Sequence, residues 1–182
     1  MEINMKFEEI TISSKEIFKG KIFTVKKDIV KLPDTSEAYR EIVAHSGGAG
    51  VIAVDEKRNI TLVRQYRKGV EREVLEIPAG KLEENENPLD CCKRELLEET
   101  GYIAGKITDL GKIYPTPAYC SEITYIYMAT ELKKEKQKLD PGEFLETVTL
   151  SLDEAYDMVM SNDISDAKTV VAIIKARQLL SK

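Results

Sequence analysis

The stretch Gly80-Lys81-Leu82-Glu83-Glu84-Asn85-Glu86-Asn87-Pro88-Leu89-Asp90-Cys91-Cys92-Lys93-Arg94-Glu95-Leu96-Leu97-Glu98-Glu99-Thr100-Gly101-Tyr102 decides how this chain is read. Residues 88–100 within it read as a helix. Asn87 suits the N-cap, Pro88 the first helical position, and Gly101 the residue just past the end. Between Glu83 and Thr100, seven acids, Glu83, Glu84, Glu86, Asp90, Glu95, Glu98 and Glu99, stand against Lys93 and Arg94 alone. At about 100° per residue, Glu95, Glu98 and Glu99 share one arc, while Leu89, Cys92 and Leu96 share another. The helix buries one stripe and presents three carboxylates on a second. Like charges at these spacings destabilise a helix by a few tenths of a kcal/mol per pair. A hard divalent cation relieves that repulsion, because carboxylate oxygens are the ligands Mg²⁺ prefers. Spacing alone leaves two readings open, a cation site and a solvated acidic face.

Working outward, the first third of the chain is rich in strand formers. Residues 21–32 and 37–44 read as strands, and Gly47, Gly48 and Gly50 follow as a break. Residues 51–54 and 60–63 flank a hairpin loop at 55–59, and 72–77 is a further strand stopped by Pro78 and Gly80. After the acidic helix, strands are expected at 107–114, 123–132 and 146–150, with a lysine-rich polar loop at 133–142. Ser151 with Glu154 opens a helix by a capping-box pattern, and a last helix runs over about 165–180. This order of elements is a mixed α/β domain without the strict alternation of a doubly wound sheet. Residues 1–45 read as an N-terminal strand region, too poor in core to be an independent domain, and 46–182 as the main domain.

Composition narrows the class. The chain has 182 residues, enough for one substantial core, with 42% hydrophobic and 32% charged residues. A formal net charge of -5 argues against a nucleic-acid partner, which requires a basic surface. The three cysteines, Cys91, Cys92 and Cys120, form no Cys-x-x-Cys pair, so neither a disulfide framework nor a thiolate zinc site is expected. Residues 1–9 are charged and lack an apolar signal core, and no apolar run is long enough to span a bilayer. The expectation is a cytoplasmic protein with no membrane partner.

The segment 80–102 resembles the Nudix box. That pattern reads glycine, five residues, glutamate, seven residues, arginine-glutamate, an aliphatic, any residue, two glutamates, any residue, glycine and an apolar residue. Gly80, Glu86, Arg94, Glu95, Leu96, Glu98, Glu99, Gly101 and Tyr102 fill these positions, with Tyr102 the one loose fit. Further segments resemble the family's ADP-ribose pyrophosphatase branch: Arg40-Glu41-Ile42-Val43-Ala44-His45, Gln65-Tyr66-Arg67 and Glu76-Ile77-Pro78-Ala79-Gly80. Pro117 stands where the branch has a marker proline. The branch usually reads Ser-Pro-Gly there, and this chain has Thr116-Pro117-Ala118, a partial match.

The resemblance implies a Nudix-type α/β/α sandwich around a mixed sheet, with an additional N-terminal antiparallel strand region. It implies Mg²⁺-dependent hydrolysis of the pyrophosphate bond of ADP-ribose to AMP and ribose 5-phosphate, with two to three ions and Mn²⁺ as a substitute. Other nucleoside diphosphate sugars, damaged nucleotides, and a non-catalytic ADP-ribose-binding regulator are the alternatives. By the same resemblance Glu95, Glu98 and Glu99 are metal ligands together with the backbone carbonyl of Ala79. Arg94 orients a carboxylate, Glu86 supports the loop-to-helix junction, and Gly80 and Gly101 shape the box. The base is a glutamate on a loop far from the box; Glu143 is the choice and Glu146 the alternative. Arg40, Arg67 and Pro117 are candidate substrate contacts, although either arginine could equally be a surface ion-pair partner. His45 and Tyr66 read as structural, and Lys133, Lys134, Lys136 and Lys138 as a solvated face. A homodimer formed through the N-terminal strands is expected.

Overall fold

The computed structural model describes residues 6–181, so part of the charged 1–9 segment and Lys182 lie outside the described residues. The chain divides into two compact units.

The first unit runs to Ser46 and includes Thr116–Glu122. Its strands β1 (Ile10–Lys19), β2 (Phe23–Lys31) and β3 (Glu37–His45) form an antiparallel sheet in that order. The sequence reading found β2 and β3 but not β1. Register shifts between Thr11 and Ser13 and between Glu16 and Phe18 break the two-residue period of β1. All ten of its residues are exposed, so no buried face imposes a pattern on it. The returning segment adds to β3: Val43 N–H donates to Tyr119 O at 2.7 Å, and Ser121 N–H to Val43 O at 3.0 Å. His45 ends β3 opposite Phe23 and donates its backbone N–H to Ser121 Oγ at 3.0 Å.

The second unit comprises Gly47–Pro115 and the chain from Ile123 onward. Its strands are β4 (Gly48–Val54), β5 (Asn59–Arg67), β6 (Arg72–Glu76), β7 (Ala79–Lys81), β8 (Tyr102–Ile113), β9 (Thr124–Lys134) and β10 (Leu145–Ser151). Its helices are α1 (Pro88–Thr100), α2 (Leu152–Met160) and α3 (Ala167–Leu180). The sheet order is β10-β5-β4-β9-β8, with β6 on β5 and β7 on β4. β4 and β9 run parallel and the other pairs antiparallel, so the sheet is mixed.

The burial of β4 explains the layering. All seven of its residues are buried, which requires cover on both faces. Ala49, Val51 and Ala53 pack with Cys91, Cys92 and Leu96 of α1. Ile52 and Val54 pack with Ala155 of α2 and with Ala172, Ile173 and Ala176 of α3. The unit is therefore an α/β/α sandwich, and α1 forms one outer layer by itself.

Local signals placed the helices well. The Asn87 side chain accepts from Leu89 N–H at 2.9 Å, and Gly101 is left-handed at φ 67°. Ser151 and Glu154 form the expected capping box, and Asp166 caps α3. Three differences are informative. β7 was not foreseen, because its three residues include a glycine and follow a proline. β8 begins at Tyr102 rather than 107, its interior glycines and the register shift between Asp109 and Gly111 hiding its first half. Tyr66, read as core, is exposed: it lies on the end of β5 beyond the buried run Ile60–Val63.

Candidate active site

The box helix buries two of its three carboxylates. Glu95 and Glu99 are only 7% and 3% exposed, and Glu98 is half-buried. Such charges are unfavourable in a protein interior without compensation. Part of the compensation comes from Arg94. Its Nε and Nη2 donate to Glu86 at 2.9 and 3.0 Å, and its Nη1 donates to Glu95 at 2.6 Å and to Glu98 at 3.1 Å. This contact holds the Glu86 carboxyl down at about 2. Glu86 also accepts from Glu83 N–H at 2.9 Å, tying the loop to the helix start. The repulsion expected among the helix carboxylates is thus partly relieved from within.

Glu99 is different. Its carboxylate accepts from Ala79 N–H at 2.9 Å and, among the described residues, forms no ion pair. Burial pushes its carboxyl up to about 8, with the charges of Glu95 and Glu143 adding and the Ala79 hydrogen bond opposing. Burial also raises Glu95, against the pull of Arg94. Gly80 faces this cluster. A Cβ there would lie 1.8 Å from Glu95 Oε1, so the residue is glycine because the carboxylate occupies the space a side chain needs.

The residues fit a hard divalent cation. Among the described residues, no three acidic, histidine or cysteine side chains are already gathered around one point, since Glu95 and Glu98 turn onto Arg94. The donors are nevertheless all oxygen, the chemistry Mg²⁺ prefers, and Glu99 is a buried carboxyl with no ion-pair partner among the described residues. The box thus gathers Ala79, Gly80, Glu86, Arg94, Glu95, Glu98 and Glu99 on one loop and helix.

Two further groups of the same unit, Glu143 and Arg67, act on Glu99 electrostatically. Glu143 lies in the turn before β10, where its N–H donates to Asp140 O at 3.0 Å, and its charge raises both Glu95 and Glu99. Glu146 instead pairs with Arg64 across β10 and β5 at 2.8 Å and is exposed. Arg67 forms a bidentate pair with buried Glu76 at 2.7 and 2.8 Å, and Glu99 acts on it electrostatically. Lys168 of α3 donates to the same Glu76. Burial raises the Glu76 carboxyl, but Arg67 and Lys168 outweigh it, and the net shift is downward. A cavity of about 500 Å³ opens beside this pair, lined in part by Arg67, Arg72, Glu76 and Lys168.

Arg40 and Pro117 belong to the first unit. Arg40 forms a two-pronged pair with Glu9 and borders a groove of about 740 Å³ with Tyr39 and Tyr119. Sequence reasoning passed over Lys168, which is 92 positions from the carboxylate it holds and carries no local signal. It also passed over the role of the lysine-rich loop. That loop is exposed, as expected, yet Lys134 Nζ donates to Thr100 O at 2.8 Å at the end of the box helix.

The NUDIX domain family model matches residues 44–171, and that of the nucleoside diphosphate sugar hydrolase N-terminal domain matches residues 9–43. An ADP-ribose pyrophosphatase of Bacillus subtilis (strain 168) is 43% identical over 168 residues, 91% of each chain. A methanol dehydrogenase activator of Bacillus methanolicus is 41% identical over 169 residues, 92% of this chain and 91% of that one. A crystal structure of an ADP compounds hydrolase shares the fold with a TM-score of 0.83 at 24% identity, covering 96% of this chain and 95% of the other. The box geometry, the layered sheet and these matches agree, and the chain belongs to the Nudix family.

Proposed function

We propose that this protein hydrolyses the pyrophosphate bond of ADP-ribose to AMP and ribose 5-phosphate, using two to three Mg²⁺ ions. The observation that carries the reading is the buried Glu99 carboxyl, hydrogen-bonded to Ala79 N–H and without an ion pair among the described residues, with Gly80 clearing space and Glu95 and Glu98 on the same helix. A pyrophosphate is anionic and repels hydroxide, so its cleavage needs charge neutralisation and an acidified water, which bound Mg²⁺ supplies. Glu95, Glu98, Glu99 and the Ala79 carbonyl would hold the metal, and Mn²⁺ would substitute. Arg94 holds Glu95 and Glu98 together through its Nη1, which donates to both. Glu143 accepts the proton of the attacking water. Arg67, braced by Glu76, contacts the substrate phosphates, as its planar fork suits. Arg40 and Pro117 are the remaining proposed substrate contacts.

The relative from Bacillus subtilis supports the choice of ADP-ribose. A second reading is favoured by the relative named a methanol dehydrogenase activator: the same scaffold acting as a regulator of another enzyme. The exposed apolar side chains of the first unit, among them Ile10, Ile12, Phe18 and Phe23, suit a homodimer interface. No helix among the described residues is long and apolar enough to cross a membrane, and all three cysteines are free thiols, which fits the reducing cytoplasm.

Incubation with Mg²⁺ and a panel of nucleotide derivatives, with products identified, tests the reading. AMP and ribose 5-phosphate from ADP-ribose are expected, at higher kcat/KM than from other nucleoside diphosphate sugars. Binding of ADP-ribose without cleavage of any pyrophosphate in the panel would replace the enzyme reading with the regulator reading.

A further inference from the structure

The end of the box helix and the loop that carries Glu143 are fastened together. The last four carbonyls of a helix have no partner within it and must find one elsewhere. In α1 only Leu97 O is satisfied locally, by Gly101 N–H at 2.8 Å. The other three are taken by the segment that follows β9 or ends it. Lys138 N–H donates to Glu98 O at 3.2 Å, the Gln137 side-chain amide donates to Glu99 O, and Lys134 Nζ donates to Thr100 O at 2.8 Å. Glu135 N–H adds a bond to Gly101 O at 2.7 Å. The fit is close: a Cβ on Gly101 would lie 2.8 Å from both Gln137 N and Glu135 O. Gly101 thus serves twice, as the left-handed cap and as the clearance that lets the loop backbone dock. Lys134 also lies over the Tyr102 ring at 4.3 Å, so the box residue that departs from the aliphatic pattern is part of the same contact.

Two of the clamped carbonyls belong to Glu98 and Glu99, whose side chains are the proposed metal ligands. Five residues beyond Lys138, Glu143 is held in its own turn by Asp140, and its charge acts on Glu95 and Glu99. The loop is therefore anchored to the helix end at its start and to β5 through β10 at its finish. Gln137 is the one side-chain amide in the anchor, and the loop offers no apolar core residue to replace it, since residues 133–138 are all exposed.

We infer that Gln137 is a positioning residue: its hydrogen bond to the Glu99 carbonyl sets where the loop holds Glu143 relative to the box helix. This rests on the reading of the protein as a Glu143-assisted pyrophosphatase, and the test separates the two. Gln137→Met keeps the length and removes the donor; Gln137→Lys restores one. With ADP-ribose and Mg²⁺, kcat of Gln137→Met falls about tenfold, the scale on which sub-ångström misplacement acts. KM and the Mg²⁺ half-saturation stay within twofold, and Gln137→Lys recovers most of the rate. In the double variant with Glu143→Gln, the Gln137→Met loss disappears, because it acts through Glu143. Unchanged kcat, a loss confined to Mg²⁺ half-saturation, or fully multiplicative effects in the double variant overturn the inference. Near-normal turnover in Glu143→Gln alone overturns the base assignment instead. Gln137 is then judged by amide hydrogen exchange over residues 134–146: faster exchange in Gln137→Met supports the clamp, and unchanged exchange overturns it.

Discussion

The box helix and the loop after β9 both carry carboxylates of the proposed site, but they are held by different physics. α1 is fixed by burial. Cys91, Cys92 and Leu96 are buried against β4, and their spacing forces Glu95 and Glu99 to point where they do. The loop is fixed by hydrogen bonds to helix-end carbonyls and by one strand pairing, with no buried residue of its own between 133 and 138. A buried stripe gives rigidity suited to metal ligands, while a polar tether permits the adjustment a proton acceptor needs. The contrast teaches that the carboxylates proposed as metal ligands are placed by the core, and the proposed base, Glu143, is placed from the surface.

The largest test of that contrast is Glu143→Gln. It removes the proposed proton acceptor and leaves the helix intact, so kcat is expected to fall about 10²–10⁴-fold with KM nearly unchanged, in steady-state kinetics with ADP-ribose. Near-normal turnover would move the base elsewhere. Gly80→Ala attacks the other side of the comparison. The added methyl meets Glu95 at 1.8 Å, so the carboxylate must move. A loss of about 1–3 kcal/mol in denaturant unfolding is expected, together with a raised Mg²⁺ half-saturation. Wild-type values for both would show that Glu95 has room the structure does not give it.

Arg67→Ala should act on binding more than on chemistry. Loss of a charged hydrogen bond of about 1.5–3 kcal/mol raises KM roughly tenfold or more. An unchanged KM would leave Arg67 as a partner of Glu76 alone. The smallest effect is a pH dependence. The Glu99 carboxyl, ordinarily at 4.5, lies at about 8 in the folded protein. The folded state then holds this proton more tightly than the unfolded state, so the ionised carboxylate opposes folding. Below 4.5 the group is neutral in both states and has no effect; its destabilisation grows from there to about 8. Melting in EDTA should therefore fall more steeply over this range in the wild type than in Glu99→Gln, and Mg²⁺ should stabilise the wild type more at pH 8 than at pH 6. Parallel curves for the two proteins would contradict the burial argument.

The sequence made the helix legible because its signals are local. Asn87, Pro88 and Gly101 mark its ends, and the arc of Glu95, Glu98 and Glu99 follows from 3.6-residue geometry. The α/β/α architecture followed from resemblance; the apolar run Val51–Val54 fits a strand buried on both faces, as β4 is, but does not specify the layers by itself. What remained hidden depends on contacts distant in sequence. Lys168 reaches Glu76 from 92 positions away, and Gln137 reaches Glu99 O from 38. β1 was hidden for the opposite reason: it is exposed and bulged, so no hydrophobic period marks it. Arg94 was expected to orient one carboxylate and instead contacts three, because Glu86 folds back from the loop to meet it.

The central claim is that the buried carboxylates of α1 hold the metal that makes pyrophosphate cleavage possible. It is tested most directly by AMP release from ADP-ribose as a function of Mg²⁺ concentration, in the wild type and in Glu99→Gln. The account predicts saturable, strictly Mg²⁺-dependent release in the wild type and a loss of at least about 10²-fold in the variant, on the scale of removing one catalytic group. Cleavage that persists in EDTA, or a Glu99→Gln enzyme with wild-type rate and Mg²⁺ half-saturation, would contradict it.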